Sequence, residues 1–398
     1  MIAHLRKQYN THFTEKKYEA FLSEIFRKAG HEATFKIAET PIFIPPALKK
    51  QLLDASEELV DVICRPGFKE YSQETIFPNE FVPGETPNTH FLSIDFGICA
   101  DEDGNISPQL IEIQGFPSLF FYQHLCATAY KNHFNLPGHY TYLFNGLTAE
   151  TYLEKLRQVI VGDSRPENVV LLEVEPYKQN TQIDFYAASK MLGIKICCLS
   201  DLKTEGRDVF YLDDDGKKIK VERVFNRVIF DELVKHPHLE KDFSIRKEYD
   251  IKWIGHPHWF ARISKHTLPL FDSEFVPDSY FLNDEKNLPS DLENYVLKPL
   301  YSFSGQGVII NPVPADVEAI PEDKRKHFIL QKKVKYARLV ETLDDPAKVE
   351  VRIMMAWEEG AERPTALTNL VRLSKGEMVG VRYNKGRSWV GGSVGFFE

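Results

Sequence analysis

The chain has no long apolar run. Nowhere in its 398 residues do about 18 apolar residues follow one another, so no membrane-spanning helix is expected. The opening stretch Met1-Ile-Ala-His-Leu-Arg-Lys7 has no apolar centre, so it does not read as a secretory signal. A basic excess is also missing. Lys and Arg number 49 against 58 Asp and Glu, a net charge of −9, which argues against general nucleic-acid binding. Cysteine is scarce and odd in number: Cys64, Cys99, Cys126, Cys197 and Cys198, without metal-ligand spacing. Cys197 and Cys198 lie side by side in an apolar run and read as buried thiols, which fits a reducing cytoplasm. There are no repeats and no low-complexity segment. What remains is an ordinary globular composition, 43% hydrophobic and 27% charged, with length for about two or three domains.

The most informative stretch runs from Tyr295 to Ile310. Tyr295-Val-Leu-Lys298 reads as a strand that Pro299 ends, because proline cannot donate into a ladder. A small polar turn follows, Ser302, Ser304, Gly305, Gln306 and Gly307 among its residues, and Val308-Ile-Ile310 starts a return strand. The glycines let backbone N–H groups approach phosphate oxygens, and Lys298 supplies a positive charge to the same place. No Gly-Lys-Ser/Thr closes the turn and no helix follows it, so it is not a P-loop. The bland alternative is a plain Ser/Gly hairpin with a solvated lysine.

A second stretch is acidic. Phe91 to Ile98 reads as a strand, Asp101-Glu-Asp-Gly-Asn105 as a hairpin turn, and Pro108 to Gln114 as the return strand. Alternation puts Glu112 and Gln114 on one face, and pairing around the turn sets Asp95 across from Glu112. Two carboxylates and an amide are hard oxygen ligands suited to Mg²⁺ held against phosphates. The alternative is the solvated side of an antiparallel sheet. A tight turn, Gly115-Phe-Pro-Ser118, follows at once.

Between these stretches, helices are expected over Lys16–Ala29, Ala47–Cys64, Ala149–Ile160 and Gln182–Leu192. Asn168–Glu173, the Gln182 helix and Gly193–Leu199 read as a βαβ unit of a parallel sheet. Val224–Ile229 is a further strand, unusual in carrying Asn226 and Arg227. Arg227 is either a ligand contact at a strand end or a buried paired charge. His256-Pro-His258 lacks a third partner for a metal and reads as a packed loop. Phe328–Val334 reads as a strand with Gln331, Lys332 and Lys333 at a polar break, and Val349–Met355 as a strand centred on Arg352. Residues 366–373 and 378–383 read as strands bearing Arg372 and Arg382, and the glycine-rich end Trp389–Gly395 as a mobile loop near a ligand.

In this order the pieces resemble the ATP-grasp superfamily: Val-Leu-Lys298-Pro, the glycine hairpin, the hinge strand ending in Gln-Lys-Lys-Val334, and Glu-Val-Arg352. The acidic pair of strands comes before them, which is similar to the circularly permuted branch of glutathionylspermidine synthetase type. The resemblance covers roughly residues 90–395, with the family's Leu-Glu-x-Asn read here as Ile-Glu112-Ile-Gln114 and its Arg ahead of the Asp replaced by Ser93. It implies a mixed α+β fold: an N-terminal helical region over 1–90, the magnesium strands over 91–160, a small parallel-sheet domain over 161–285, and the ATP-binding part over 286–398.

The chemistry so implied is an ATP-dependent carboxylate–amine ligase that forms an acyl phosphate and releases ADP and phosphate. Asp95, Glu112 and Gln114 are then expected to hold Mg²⁺. Lys298 grips the α/β-phosphates, and the Ser302–Gly307 loop closes over the γ-phosphate and excludes water. Gln331 and the backbone through Val334 read the adenine edge, and one of Lys332 and Lys333 reaches the phosphates. Arg352, with Arg372 second, stabilises the transferred phosphoryl group. Ser118, Asn226 and Arg227 are expected to touch the substrate. The partners implied are a small carboxylate and a small amine, a peptide included, with neither nucleic acid nor membrane. The Gln114 and Ser93 departures leave open a nucleotide-binding partner protein without turnover. A ligase acting on a protein tail is a third reading, and the negative net charge weighs against an acidic tail.

Overall fold

A computed structural model describes residues 1–398 except 285–287, 302–305, 378 and 381–383. Its organising element is an antiparallel sheet. The strands lie in the order Gly391–Ser393, Thr365–Ser374, Ala347–Ala356, Phe91–Ala100, Ile106–Gln114, with Arg338–Val340 paired to the start of the third. Strand alternation gives this sheet two unlike faces. Leu92, Ile94, Phe96, Val349, Val351, Ile353, Val371 and Leu373 share one buried cluster with Leu48, Leu52, Leu59 and Ile63 of the helix Pro46–Ile63. Each such side chain contributes about 1.5–3 kcal/mol on burial. The intervening positions, Asp95, Glu350, Arg352 and Arg372, carry the charges.

The expected acidic hairpin is present. Asp101 turns the chain by accepting from the Asn105 amide at 2.7 Å, and Asp95 pairs with Glu112. One extra residue, Ile111, bulges between the Asp95–Glu112 and Phe96–Leu110 pairs, so Leu110 stays in the core while Glu112 stays opposite Asp95.

Lys298 lies in a separate sheet, ordered Ser279–Phe281, Phe328–Lys332, Tyr295–Pro299, Ile309–Ile310. Leu297, Tyr295 and Leu330 bury one side with Leu282. The segment leaving this sheet, Val334 to Tyr336, crosses the antiparallel sheet at Gly97, where a Cβ would stand 2.8 Å from the Tyr336 ring. A third sheet is parallel: Lys252–Ile254, Arg223–Asn226, Val169–Glu173, Lys195–Cys198, with the helix Gln182–Leu192 joining the last two. Asp208–Leu212 and Lys218–Val221 form an antiparallel hairpin beside it. His256 and His258 pack as a loop: His258 Nε2 accepts from the Val82 amide at 2.9 Å, and its Nδ1 faces Glu85 at 2.9 Å. Among the described residues no group of three His, Cys, Asp or Glu side chains is placed to hold a metal.

The C-terminal stretch corrects the sequence reading. Trp389, Val390 and Val394 are buried, and Gly395–Phe396 pairs in parallel with Ile42–Phe43. Gly391 and Gly395 serve close backbone approach rather than mobility. A Cβ on Gly391, at φ +123°, would overlap the Lys36 carbonyl oxygen. Positions 378 and 381–383, within the other strand expected near this end, lie outside the described residues.

Candidate functional site

Charge converges where the polar face of the antiparallel sheet meets the Lys298 sheet. Asp95 is fully buried. Arg352, directly across the strand pair, grips both its oxygens, Nε to Oδ1 at 2.5 Å and Nη2 to Oδ2 at 2.7 Å. Arg372 reaches Asp95 Oδ2 with the same Nη2 that it places on Glu350 Oε1, its own cross-strand neighbour. The Tyr336 hydroxyl donates to the other Glu350 oxygen at 3.0 Å. Burial alone would push Asp95 up; the Arg352 and Arg372 guanidiniums outweigh it and hold its carboxyl below the usual range. Glu350 is raised, by burial first and then by Asp95 and Glu112, against the pull of Arg372.

Glu112 and Gln114 stand at the edge of this cluster, less buried than Asp95. Gln114 Nε2 donates to Glu112 Oε1 at 2.5 Å, and Arg352 Nη2 lies 3.9 Å from the same oxygen. From the facing sheet, Lys298 Nζ donates to Gln331 Oε1 at 2.5 Å, and Gln331 Nε2 donates to the Leu110 carbonyl at 3.2 Å. Gln331 thus ties the lysine to the acidic strand with both ends of its amide. Burial presses Lys298 down to about 8; Glu112 opposes this, Lys265 adds to it and Glu350 opposes it. Lys265, on the turn Lys265–Leu270, is buried and senses Glu112 as well.

A second group lies at the carboxyl ends of the parallel strands. The connection after Glu173 leads to the strand on one side, and that after Asn226 to the strand on the other, which makes this the topological switch point of the sheet. Arg227 sits just past its strand. It donates from Nη1 to the Pro117 carbonyl at 2.8 Å and stacks on Phe116 at 4.5 Å, while its buried Nε has no partner among the described residues. Glu173 is buried beside it and pushed up to about 8, by burial first, against the Val174 amide and Arg227. The turn Gly115–Ser118 joins the two groups, since it leaves Gln114 and carries the carbonyls that Arg227 grips.

The sequence-derived residues therefore divide. Asp95, Glu112, Gln114, Lys298, Gln331, Arg352 and Arg372 come together. Lys332 and Lys333 stand apart on exposed pairs, with Asp278 Oδ2 at 3.1 Å and Asn311 Oδ1 at 2.6 Å. Val334 packs over Gly97. Asn226 is buried and spends its amide on Val228 and Gly255, whereas Ser118 is half-buried with no hydrogen bond to the described residues. Gln306 and Gly307 are described; Ser302, Ser304 and Gly305 lie outside the described residues. Sequence reasoning missed Lys265, Tyr336 and Glu173. Glu173 had a signal, an acid closing the apolar strand Val-Val-Leu-Leu. Lys265 had none, since an irregular turn gives no face to read.

A metal fits this arrangement only at its edge. Both Asp95 oxygens are taken by guanidiniums, which leaves Glu112 and the Gln114 amide oxygen as donors. Mg²⁺ commonly needs no more than one or two protein oxygens beside phosphates and water.

No protein-family model matches the chain, and no curated protein matches it. Among solved structures it is similar to a glutathione synthetase-like effector (GSS30) of Globodera pallida, determined in its apo form, with a TM-score of 0.58 and 12% identity over 90% of this chain and 93% of that one. At that identity the likeness shows the fold alone: a mixed α/β fold of ATP-grasp type, in which a parallel sheet accompanies the antiparallel ones.

Proposed function

We propose that the chain is an ATP-dependent ligase that joins a carboxylate to an amine through an acyl phosphate. One observation carries this reading: Lys265, Lys298, Arg352 and Arg372 converge around Glu112 and Asp95, in a fold of ATP-grasp type. Phosphoryl transfer needs alignment and charge neutralisation rather than a covalent nucleophile, and such a cluster suits it. A substrate carboxylate oxygen attacks the γ-phosphorus; the O–P bond forms as the β–γ bridge breaks, and ADP leaves. The amine then attacks the acyl carbon, loses a proton, and expels phosphate as the C–N bond forms.

Lys298 and Lys265 bind phosphate oxygens in this scheme. Glu112 and Gln114 would hold magnesium, which supplies further neutralisation of phosphate charge. The geometry favours Arg372 over Arg352 for the transferred group. Arg352 spends two nitrogens on Asp95, whereas Arg372 spends only Nη2 and is the more exposed. Arg352 and Asp95 act as positioning residues. Arg227, whose Nε has no partner among the described residues, and Ser118 take the substrate carboxylate end, and water exclusion is assigned to the sequence stretch Ser302–Gly307.

A second reading, nucleotide binding without turnover, is favoured by Asp95 being closed off by two arginines and by Gln114 spending its amide on Glu112. The deciding experiment has two parts. Magnesium-dependent thermal stabilisation by ATP and ADP is measured in wild type and Lys298→Ala, since a ligand of the native state raises the melting temperature. ADP release is then followed over paired carboxylates and amines. A shift lost in the variant together with substrate-dependent ADP release supports the ligase. A shift without ADP release supports the second reading. No shift in wild type with either nucleotide overturns both.

A further inference from the structure

The other ends of the parallel strands hold a cavity of about 400 Å³, lined by the starts of two strands, the end of the helix Ala149–Ile160 and the loop after the Arg352 strand. This volume lies within the roughly 300–1,000 Å³ of small-molecule sites. It is separate from the candidate active site. His90 lines it directly before the Asp95 strand begins, and five extended residues place it roughly 17 Å from Asp95.

His90 is the observation that points to a ligand. Its side chain is 7% exposed. Nδ1 accepts from the Gly255 amide at 3.2 Å, so the proton of the neutral ring sits on Nε2. Nε2 has no hydrogen-bond partner among the described residues. Burial, then Arg223 and Lys252, hold the ring down to about 4, so it stays a neutral donor at physiological pH. Nε2 is not sealed in the core: it reaches the cavity, so its N–H donates to whatever fills that space.

The surroundings say what. Arg223 donates Nε and Nη2 to the Ile160 and Val159 carbonyls, which fixes its guanidinium and leaves Nη1 over. Lys252 stands beside it, paired with the exposed Glu359. The inner wall is therefore donor-rich and cationic. The mouth is the reverse: Asp163, Glu222 and Glu359 are all exposed there, and the half-buried Glu358, paired with Lys155, adds a fourth carboxylate to the lining. An acidic mouth repels polyphosphates and other polyanions, while the inner wall refuses a simple cation.

We propose that this cavity binds a small zwitterion of amino-acid type, its carboxylate inside on His90, Arg223 and Lys252 and its ammonium at the acidic mouth. His90 is itself tied to the end of the strand that bears Arg352, since the Trp357 amide, one residue past that strand, donates to the His90 carbonyl at 2.8 Å. The proposal does not depend on ligase activity.

The test is isothermal titration of the full chain with glycine, L-glutamate and L-lysine as probes. At least one probe should saturate. Lys252→Met and His90→Gln should each weaken it about tenfold or more, as expected for lost hydrogen bonds to a charged group. Arg227→Gln, at the other end of the sheet, should leave it unchanged. Three results overturn the proposal: no saturation by any probe up to about 10 mM, a concentration that would reveal a Kd as weak as about 1 mM; unchanged binding in both wall variants; or loss of binding in Arg227→Gln. Should both wall variants fail to fold, wild-type imidazole ¹⁵N spectra decide. One Nε2–H histidine should shift on adding the probe, and a spectrum with no such shift rejects the site.

Discussion

Arg352 holds Asp95 by both carboxylate oxygens, from the strand directly alongside it. This pairing helps make the Asp95 charge tolerable at zero exposure, because a buried charge without its partner is far costlier than the pair. Arg372 then bridges Asp95 to Glu350, so the four side chains form one unit.

Asp95→Asn should therefore destabilise the chain by about 3–5 kcal/mol, since it strands two guanidiniums in the sheet. The double variant Asp95→Asn/Arg352→Met should recover part of that loss. Urea denaturation of the three proteins measures both effects. A double variant no more stable than the single one would show that Arg352 is not the group left unpaired.

Lys298 makes the site sensitive to pH. An unfolded lysine titrates near 10.4 and the folded one at about 8. Between these values the unfolded state binds more protons, so this residue makes stability rise with pH across that window. Polyphosphate affinity should move the opposite way, weakening as pH climbs through about 8 and the ammonium is lost. Titrating ATP from about pH 7 to pH 9 checks this, and Lys298→Arg, which keeps its charge, should flatten the curve.

Glu173 gives the reverse sign. Its carboxyl is raised to about 8 from an unfolded value near 4.3, so the folded state binds more protons between them. Stability contributed by this group is present below about 4.3 and is lost as pH rises toward 8. Glu173→Gln should remove that slope. Denaturation midpoints of wild type and variant, compared at several pH values, should converge in acid and diverge toward pH 8.

Gly391 tests the fold rather than the chemistry. Alanine there would meet the Lys36 carbonyl oxygen at a φ of +123° that side chains avoid, and should cost on the order of 1–3 kcal/mol. A lowered melting temperature with ATP stabilisation intact is the expected outcome. An unchanged melting temperature would mean that the terminal strand is not packed on residues 36–38 as described.

The sequence by itself determined the local elements and one long-lived relationship. The Asp-Gly turn at 103–104 and the alternation on either side bring Asp95 opposite Glu112, because a hairpin's register follows from its turn. The helix ends at Ala29 and Leu192, each capped by the glycine that follows, were equally readable. The tertiary structure decided what those residues face. Arg352 and Asp95 are 257 positions apart, and no local pattern says that a guanidinium will close the carboxylate expected to hold a metal. Lys265 enters the site from an irregular turn, and the tautomer of His90 is set by the Gly255 amide, 165 positions away. The glycine-rich terminus read as a loop because glycine marks both mobile turns and close backbone approach, and only the partner strand, Ile42–Phe43, distinguishes the two. Periodicity fixes which face of an element is polar; which charges meet across that face depends on contacts between residues remote in the chain.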